Sequence, residues 1–251
     1  MEPFTVDIDK IFTVRKYSYT KVNRDEEYRK VLSEFLYYVS VIKPIQPLVT
    51  IYKAVHGNLF NFIGLILKRI SKTSVDGVGV DDSDLGEGNV AADDIDTVTV
   101  TSTDDVKNVD LDMFSNNYYE QIRIMFELPE LNRENLPWWG HVYWRFLHLS
   151  SFYTDRFNLH LQFNCILMTL YLLLPCPTCQ KNYQEMQPLK TLCIPIFKTK
   201  DATTMMYELH NQVNLHKQPP GQEFEFEQIL QLYNLSVLKS EEYHLQVSVN
   251  I

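Results

Sequence analysis

Pro175-Cys176-Pro177-Thr178-Cys179 sets two thiols within reach of each other at the end of an apolar run. Thiols at this spacing interconvert with a disulfide, bind a metal or pack as inert core residues, and their neighbours decide which. Pro177 suits the first position of a helix, which puts Cys176 at the N-cap. A helix N-terminus favours the thiolate there, lowers its pKa and leaves it accessible for exchange. Cys179 then falls one turn inside, towards whatever the helix packs on. This asymmetry fits an outer exchanging thiol and an inner electron-passing thiol. A zinc site would need two more ligands, with Cys193 or His210 to recruit, and no second Cys-x-x-Cys or His-x-x-x-His supports it. As a staple the pair is weak, since a loop this short stabilises by about 2 kcal/mol.

Two further groups have spacing that suits chemistry. Gly140, Trp144 and His148 recur every fourth residue and form one helical stripe, with the glycine letting a planar group or a backbone come close. His210, Val213, Asn214 and Lys217 form another, with Asn211 beside it. An aromatic stripe is usually core, and a lone histidine usually a satisfied core residue. Here polar and aromatic groups repeat on one face, which an apolar core does not favour.

Together these residues resemble the Erv/ALR flavin-linked sulfhydryl oxidases. The pattern Gly-x-x-x-Trp-x-x-Leu-His appears as Gly140 to His148, Pro-Cys-x-x-Cys as Pro175 to Cys179, and His-Asn-x-Val-Asn as His210 to Asn214. The spacings, 28 residues from His148 to Cys176 and 31 from Cys179 to His210, are also similar. The motif core spans 136–220. The length and the N-terminal extension resemble the enlarged members from large insect DNA viruses, including the baculovirus type.

The resemblance implies an all-α, FAD-binding helical bundle with an additional helical N-terminal region and no Gly-rich phosphate loop. It places Trp144 against the cofactor and brings His148, His210, Asn211 and Asn214 to it from neighbouring helices, with Gly140 and Val213 in the same motifs. Lys217 reaches towards a phosphate, and Tyr183 stands where the family often has an aromatic residue. The implied activity is a thiol oxidase that forms disulfides in thiol-containing protein substrates and passes the electrons to molecular oxygen, giving hydrogen peroxide. Cys176 faces substrate and Cys179 faces flavin. Such oxidases often pair, so a homodimer is expected, in the cytoplasm or nucleus of an infected host cell or with the virion. The chain departs from the family at Tyr207, which occupies the position of a cysteine in a second disulfide, and no cysteine follows Cys193. Cys165 and Cys193 are expected to pack in the core.

The elements that must position these residues read as helices. Periodic segments run over 25–41, 48–70, 113–128, 138–153, 158–174, 177–186, 203–216 and 224–237, separated by Pro, Asn or Gly signals. Alternating strand patterns are confined to 98–101 and 245–249. Three regions are expected: a helical N-terminal region over 1–70, an acidic disordered linker or loop over 71–112, and an oxidase-like helical domain over 113–251. Residues 76–112 hold twelve Asp or Glu and one Lys, a charge of −11 within a chain total of −9, which leaves the remainder at +2. A stretch so poor in apolar side chains cannot offset its ordering entropy. The Gly86-x-Gly88-x-x-Ala91 within it has no preceding strand and acidic flanks, and is read as chance.

No basic stripe with interleaved aromatics points to nucleic acid. The apolar runs fall short of the about 20 residues needed to cross a bilayer, and the first residues lack the regions of a signal peptide. The readings that remain beside the oxidase are a thioredoxin-like disulfide reductase, which needs strands around the dithiol, and a non-catalytic virion or scaffold protein keeping a degenerate flavin fold.

Overall fold

The structure is a computed structural model, and it describes residues 5–18, 24–43, 48–75, 115–216, 221, 223–233 and 235–250. It is mostly helical, with nine α-helices and one two-stranded sheet among these residues. The acidic segment beyond residue 75, the glycine pattern at 86–91, the strand expected at 98–101 and Lys217 lie outside them.

Helix α1 (Asp25–Ser40) opens with Asp25, Glu26 and Glu27, whose charge suits the positive end of the helix. Its apolar stripe, Tyr28, Val31, Leu32, Phe35, Leu36 and Val39, is wholly buried. That stripe meets α4 (Trp139–Phe157), where the Phe35 ring lies 3.8 Å from Phe146 at 6° and 4.8 Å from Tyr143 edge-on. Burying two such rings contributes about 4 kcal/mol. Tyr153 Oη donates to Asp25 Oδ1 at 2.9 Å, closing the far end of the same contact. Helix α2 (Val49–Val75) runs five residues further than its apolar periodicity predicts and packs on α5 (His160–Leu173) through Phe62 and Phe163. Between them in sequence, α3 (Tyr118–Met125) fastens to α1 through Tyr119 Oη and Ser33 Oγ, 2.6 Å apart.

Between α4 and α5 the chain reverses at Asn158, whose φ of 53° is tolerated by asparagine better than by most side chains. Helix α6 (Pro177–Glu185) carries the dithiol, and a π-helical turn over Leu189–Cys193 leads into the short α7 (Ile194–Thr199). Lys200, at φ 57°, turns the chain into α8 (Ala202–Leu215), which lies along α4. Helix α9 (Phe226–Tyr233) follows.

Two expectations are corrected here. Residues 5–18 are not part of a helical region: they form β1 (Thr5–Ser18), paired antiparallel with β2 (Ser236–Asn250) from Thr5↔Asn250 to Ser18↔Ser236. Helix α9 ends at Tyr233, so the helix expected to reach Val237 gives way to this strand, which is far longer than 245–249. The sheet buries Val6, Ile8, Phe12 and Leu245 against the helices. Asp201 binds it to the bundle: this buried carboxylate accepts from Arg15 N at 2.7 Å and Tyr17 Oη at 3.2 Å, while capping α8 at Thr204 N, 2.9 Å away.

Candidate functional site

Cys176 is the N-cap of α6 and Pro177 occupies its first turn, as the sequence predicts. Cys176 Sγ accepts from Cys179 N at 3.2 Å, so the first turn offers a backbone donor to whatever charge this sulfur carries. The two cysteines are joined by a disulfide, with Cα atoms 5.2 Å apart. Pro177 and Thr178 between them are exposed, while Cys179 packs against the core. Gln180 Nε2 donates to Leu174 O at 2.8 Å, and Tyr143 Oη donates to Leu173 O, which ties the approach to the dithiol to α4 one residue from Trp144. Tyr183, a turn further along α6, is buried and donates to Leu167 O at 2.8 Å, so its hydroxyl is spent on α5. Cys193 is buried, and burial pushes its thiol up to about 12, while Cys165 is exposed rather than packed in the core.

The two stripes meet where α4 crosses α8. The Trp144 and His210 rings stack at 3.9 Å and 10°, and His148 Nε2 and His210 Nδ1 lie 3.0 Å apart. His148 is 4% exposed, and burial, assisted by His210, drives its pKa from 6.5 down to about 3. Its second nitrogen, Nδ1, is buried without a hydrogen-bond partner among the described residues. Asn214 is buried on the same face of α8 and Val213 is half-buried beside it. Gly140 is buried at the start of the α4 stripe, and a Cβ there would come within 2.2 Å of the Trp138 ring, so the planar group this glycine accommodates in the structure is Trp138.

Three neighbours of this cluster carry no signal in the motifs. The Phe224 ring lies 4.9 Å from His210 at 54°, and the Tyr233 ring 5.9 Å from His148. Asn211 spends both ends of its amide on Phe224: Nδ2 donates to its carbonyl and Oδ1 accepts from its N–H, each at 2.9 Å. Asp155, at the end of α4, accepts from Ala202 N at 2.8 Å and Thr203 N at 2.9 Å and so holds the start of α8. Tyr233 and Phe224 fall in a segment whose helical pattern was legible but whose fold back over α4 and α8 was not.

The residues fit a planar aromatic group with hydrogen-bonding edges on one count in particular: His148 Nδ1 is a buried polar atom that no group among the described residues satisfies, set between Trp144 and Tyr233. Trp144 and His210 cover one another's faces, so a ring entering between them parts that stack. A groove of about 1060 Å³ lies elsewhere, lined by Arg24, Glu27, Lys30, Glu34 and Arg145 among others, and none of the predicted site residues borders it. Among the described residues no group of three or more His, Cys, Asp or Glu is placed to hold a metal ion, and no helix is long and apolar enough to cross a membrane. No protein-family model matches the chain, and no curated protein or solved structure matches it. The resemblance to the Erv/ALR oxidases is one of three sequence motifs.

Proposed function

We propose that this chain is an FAD-dependent thiol oxidase of the Erv/ALR type, acting on protein thiols with molecular oxygen as the final electron acceptor. The observation that carries the reading is the Cys176–Cys179 disulfide closed across the N-cap of α6, in a chain whose α4 and α8 bring Trp144, His148 and His210 together. A substrate thiolate attacks Cys176 Sγ, forming a mixed disulfide and expelling Cys179 as a thiolate. A second substrate thiolate attacks the substrate sulfur of that bond and releases the substrate disulfide. Cys176 leaves as a thiolate, stabilised by the Cys179 N–H and by the positive end of α6. Two electrons per substrate disulfide now reside in the dithiol. Bound FAD would supply the acceptor for them, with oxygen and two protons giving hydrogen peroxide as the final product. Trp144, His148, His210 and Asn214 are the residues that would hold it.

A thioredoxin-like reductase would set its dithiol after a strand. Here the dithiol follows α5, and the described strands pair with each other at the chain ends. The test is the visible spectrum and oxygen uptake of purified protein. A flavin absorbance band and oxygen consumption on addition of dithiothreitol are expected. Folded protein that stays colourless after incubation with FAD overturns the reading, and a yellow protein that consumes no oxygen supports the non-catalytic alternative instead.

A further inference from the structure

The described residues that follow α8, Gly221 and 223–233, lie back along it and finish beside the two histidines. Gly221 N donates to Asn214 O at 2.8 Å, which starts the reversal, and a Cβ at Gly221 would press on Asn214 Cβ at 3.3 Å. Phe224 is then held at three points: Tyr207 Oη donates to its carbonyl at 2.8 Å, and Asn211 brackets its carbonyl and N–H. These bonds aim its ring at His210, whose other neighbour is the parallel indole of Trp144. Phe226 packs on the Tyr207 ring at 5.0 Å, and α9 ends with Tyr233 against His148. Three polar bonds devoted to one partly exposed phenylalanine are more than chain reversal requires, and the backbone they fix is the one that backs the imidazole.

We propose that residues 223–226 are a retaining wall of the cofactor site, in which Phe224 backs His210 and Asn211 is a positioning residue that acts through Phe224. This rests on the reading of the site as a flavin site. It adds to the role that the motif resemblance gives to Asn211, whose amide gives one donor and one acceptor position to Phe224. His210 is held from both sides, by Trp144 and by Phe224, and loosening either lets the ring tilt away from the orientation in which it pairs with His148.

The test is the dissociation rate of FAD, followed by the recovery of free-flavin fluorescence on dilution, in the full chain and in Asn211→Asp, Tyr207→Phe and Phe224→Ala. Asn211→Asp keeps the bond from Phe224 N–H and turns the donor to its carbonyl into a repelling oxygen. Tyr207→Phe removes the hydroxyl that donates to the Phe224 carbonyl and also bonds the Asn211 side chain. Each hydrogen bond lost is expected to speed release roughly three- to ten-fold, and Phe224→Ala more, while the melting temperature of the flavin-free form shifts little. Hydrogen exchange at the Phe224 amide is expected to slow when FAD binds the unaltered chain. Release rates within two-fold of the unaltered chain in all three variants overturn the wall and leave the flavin reading standing. Failure of the unaltered chain to bind FAD overturns the flavin reading itself.

Discussion

Asp155 is the residue whose loss has the most calculable effect. Its side chain is 4% exposed and accepts from Ala202 N, Thr203 N and His160 Nε2, the last at 3.0 Å. Replacing it by Ala leaves three buried polar groups without that acceptor, each worth about 1–3 kcal/mol if nothing else satisfies it. Part returns, because the Asp155 charge helps push the neighbouring Asp201 carboxyl up to about 6, and removing it relieves that repulsion. The net expectation for Asp155→Ala is a loss of about 3–5 kcal/mol, the range for breaking a buried pair from one side. Asp155→Asn keeps an oxygen at the Oδ1 position for Ala202 N and His160 Nε2 but sets an amide NH2 against Thr203 N at the Oδ2 position, so it should cost about 1–3 kcal/mol, less than Asp155→Ala. Urea unfolding followed by circular dichroism measures both. Since α8 begins at these donors and carries His210, Asn211 and Asn214, flavin affinity should fall in the same order. A cost under about 1 kcal/mol for Asp155→Ala would show that Asp201 alone anchors the helix.

Two further outcomes are expected. Cys176→Ser and Cys179→Ser each abolish oxygen uptake with dithiothreitol while the flavin band persists; turnover in both variants would move the redox pair elsewhere. Stability falls on mild acidification, because burial lowers His56 to about 4 and His148 to about 3 from 6.5. Below pH 6.5 the unfolded chain takes up protons that the folded chain refuses, costing about 1.4 kcal/mol per pH unit for each histidine. Asp201 has the opposite sign: its carboxyl is raised from 3.8 to about 6, chiefly by burial, so between those values the folded state binds the extra proton and gains stability as pH falls. From pH 6 down to 4 the balance is a net loss of about one histidine's worth, about 1.4 kcal/mol per unit. Urea midpoints measured across this range check it, and a midpoint that rises on acidification refutes it.

What could be read in advance follows from how local each signal is. The N-cap at Cys176 and the helices α1, α4, α5, α6 and α8 are set by capping residues, proline and three-and-four apolar spacing, all within one or two turns. Of the sheet only 245–249 is marked by alternation, and the rest is missed for a physical reason. In β1 the apolar residues Val6, Ile8, Phe12 and Val14 do alternate, but Lys10 interrupts them, and the partner strand lies more than 200 residues away. In β2 every residue from Ser236 to Tyr243 is exposed on both faces, so no apolar alternation marks that stretch. At the site, each stripe is legible because it is helical, while the meeting of Trp144, His148 and His210 is expected only from the motif resemblance. The bonds from Asn211 to Phe224 are not legible, since they depend on where the chain turns after α8 and on no period at all.

His148 and His210 constrain each other in a way that bears on what the cluster is for. One hydrogen bond joins Nε2 of the first to Nδ1 of the second, so one ring donates and the other accepts, and the two cannot both be imidazolium. His148, held neutral by burial, has a single N–H. If that proton is on Nε2, its Nδ1 is a buried bare acceptor; if it is on Nδ1, the atom is a buried donor without an acceptor. Either costs about 1–3 kcal/mol, which a phenylalanine or leucine at this position would avoid. His56 also has an orphaned nitrogen, yet its remaining contacts are to Phe60 and Tyr118, a closed aromatic pocket. His148 instead faces a second histidine, Trp144 and Tyr233, the arrangement that a flat, hydrogen-bonding ligand would complete. His148→Phe therefore separates core from site. If the histidine serves the fold, the variant loses stability; if it serves a ligand, the flavin-free protein is as stable as before or more so, because half-buried His210 can turn to water, while FAD binding falls at least ten-fold. Chemical denaturation beside a flavin titration decides between them, and an unstable variant with undiminished FAD affinity sinks the argument.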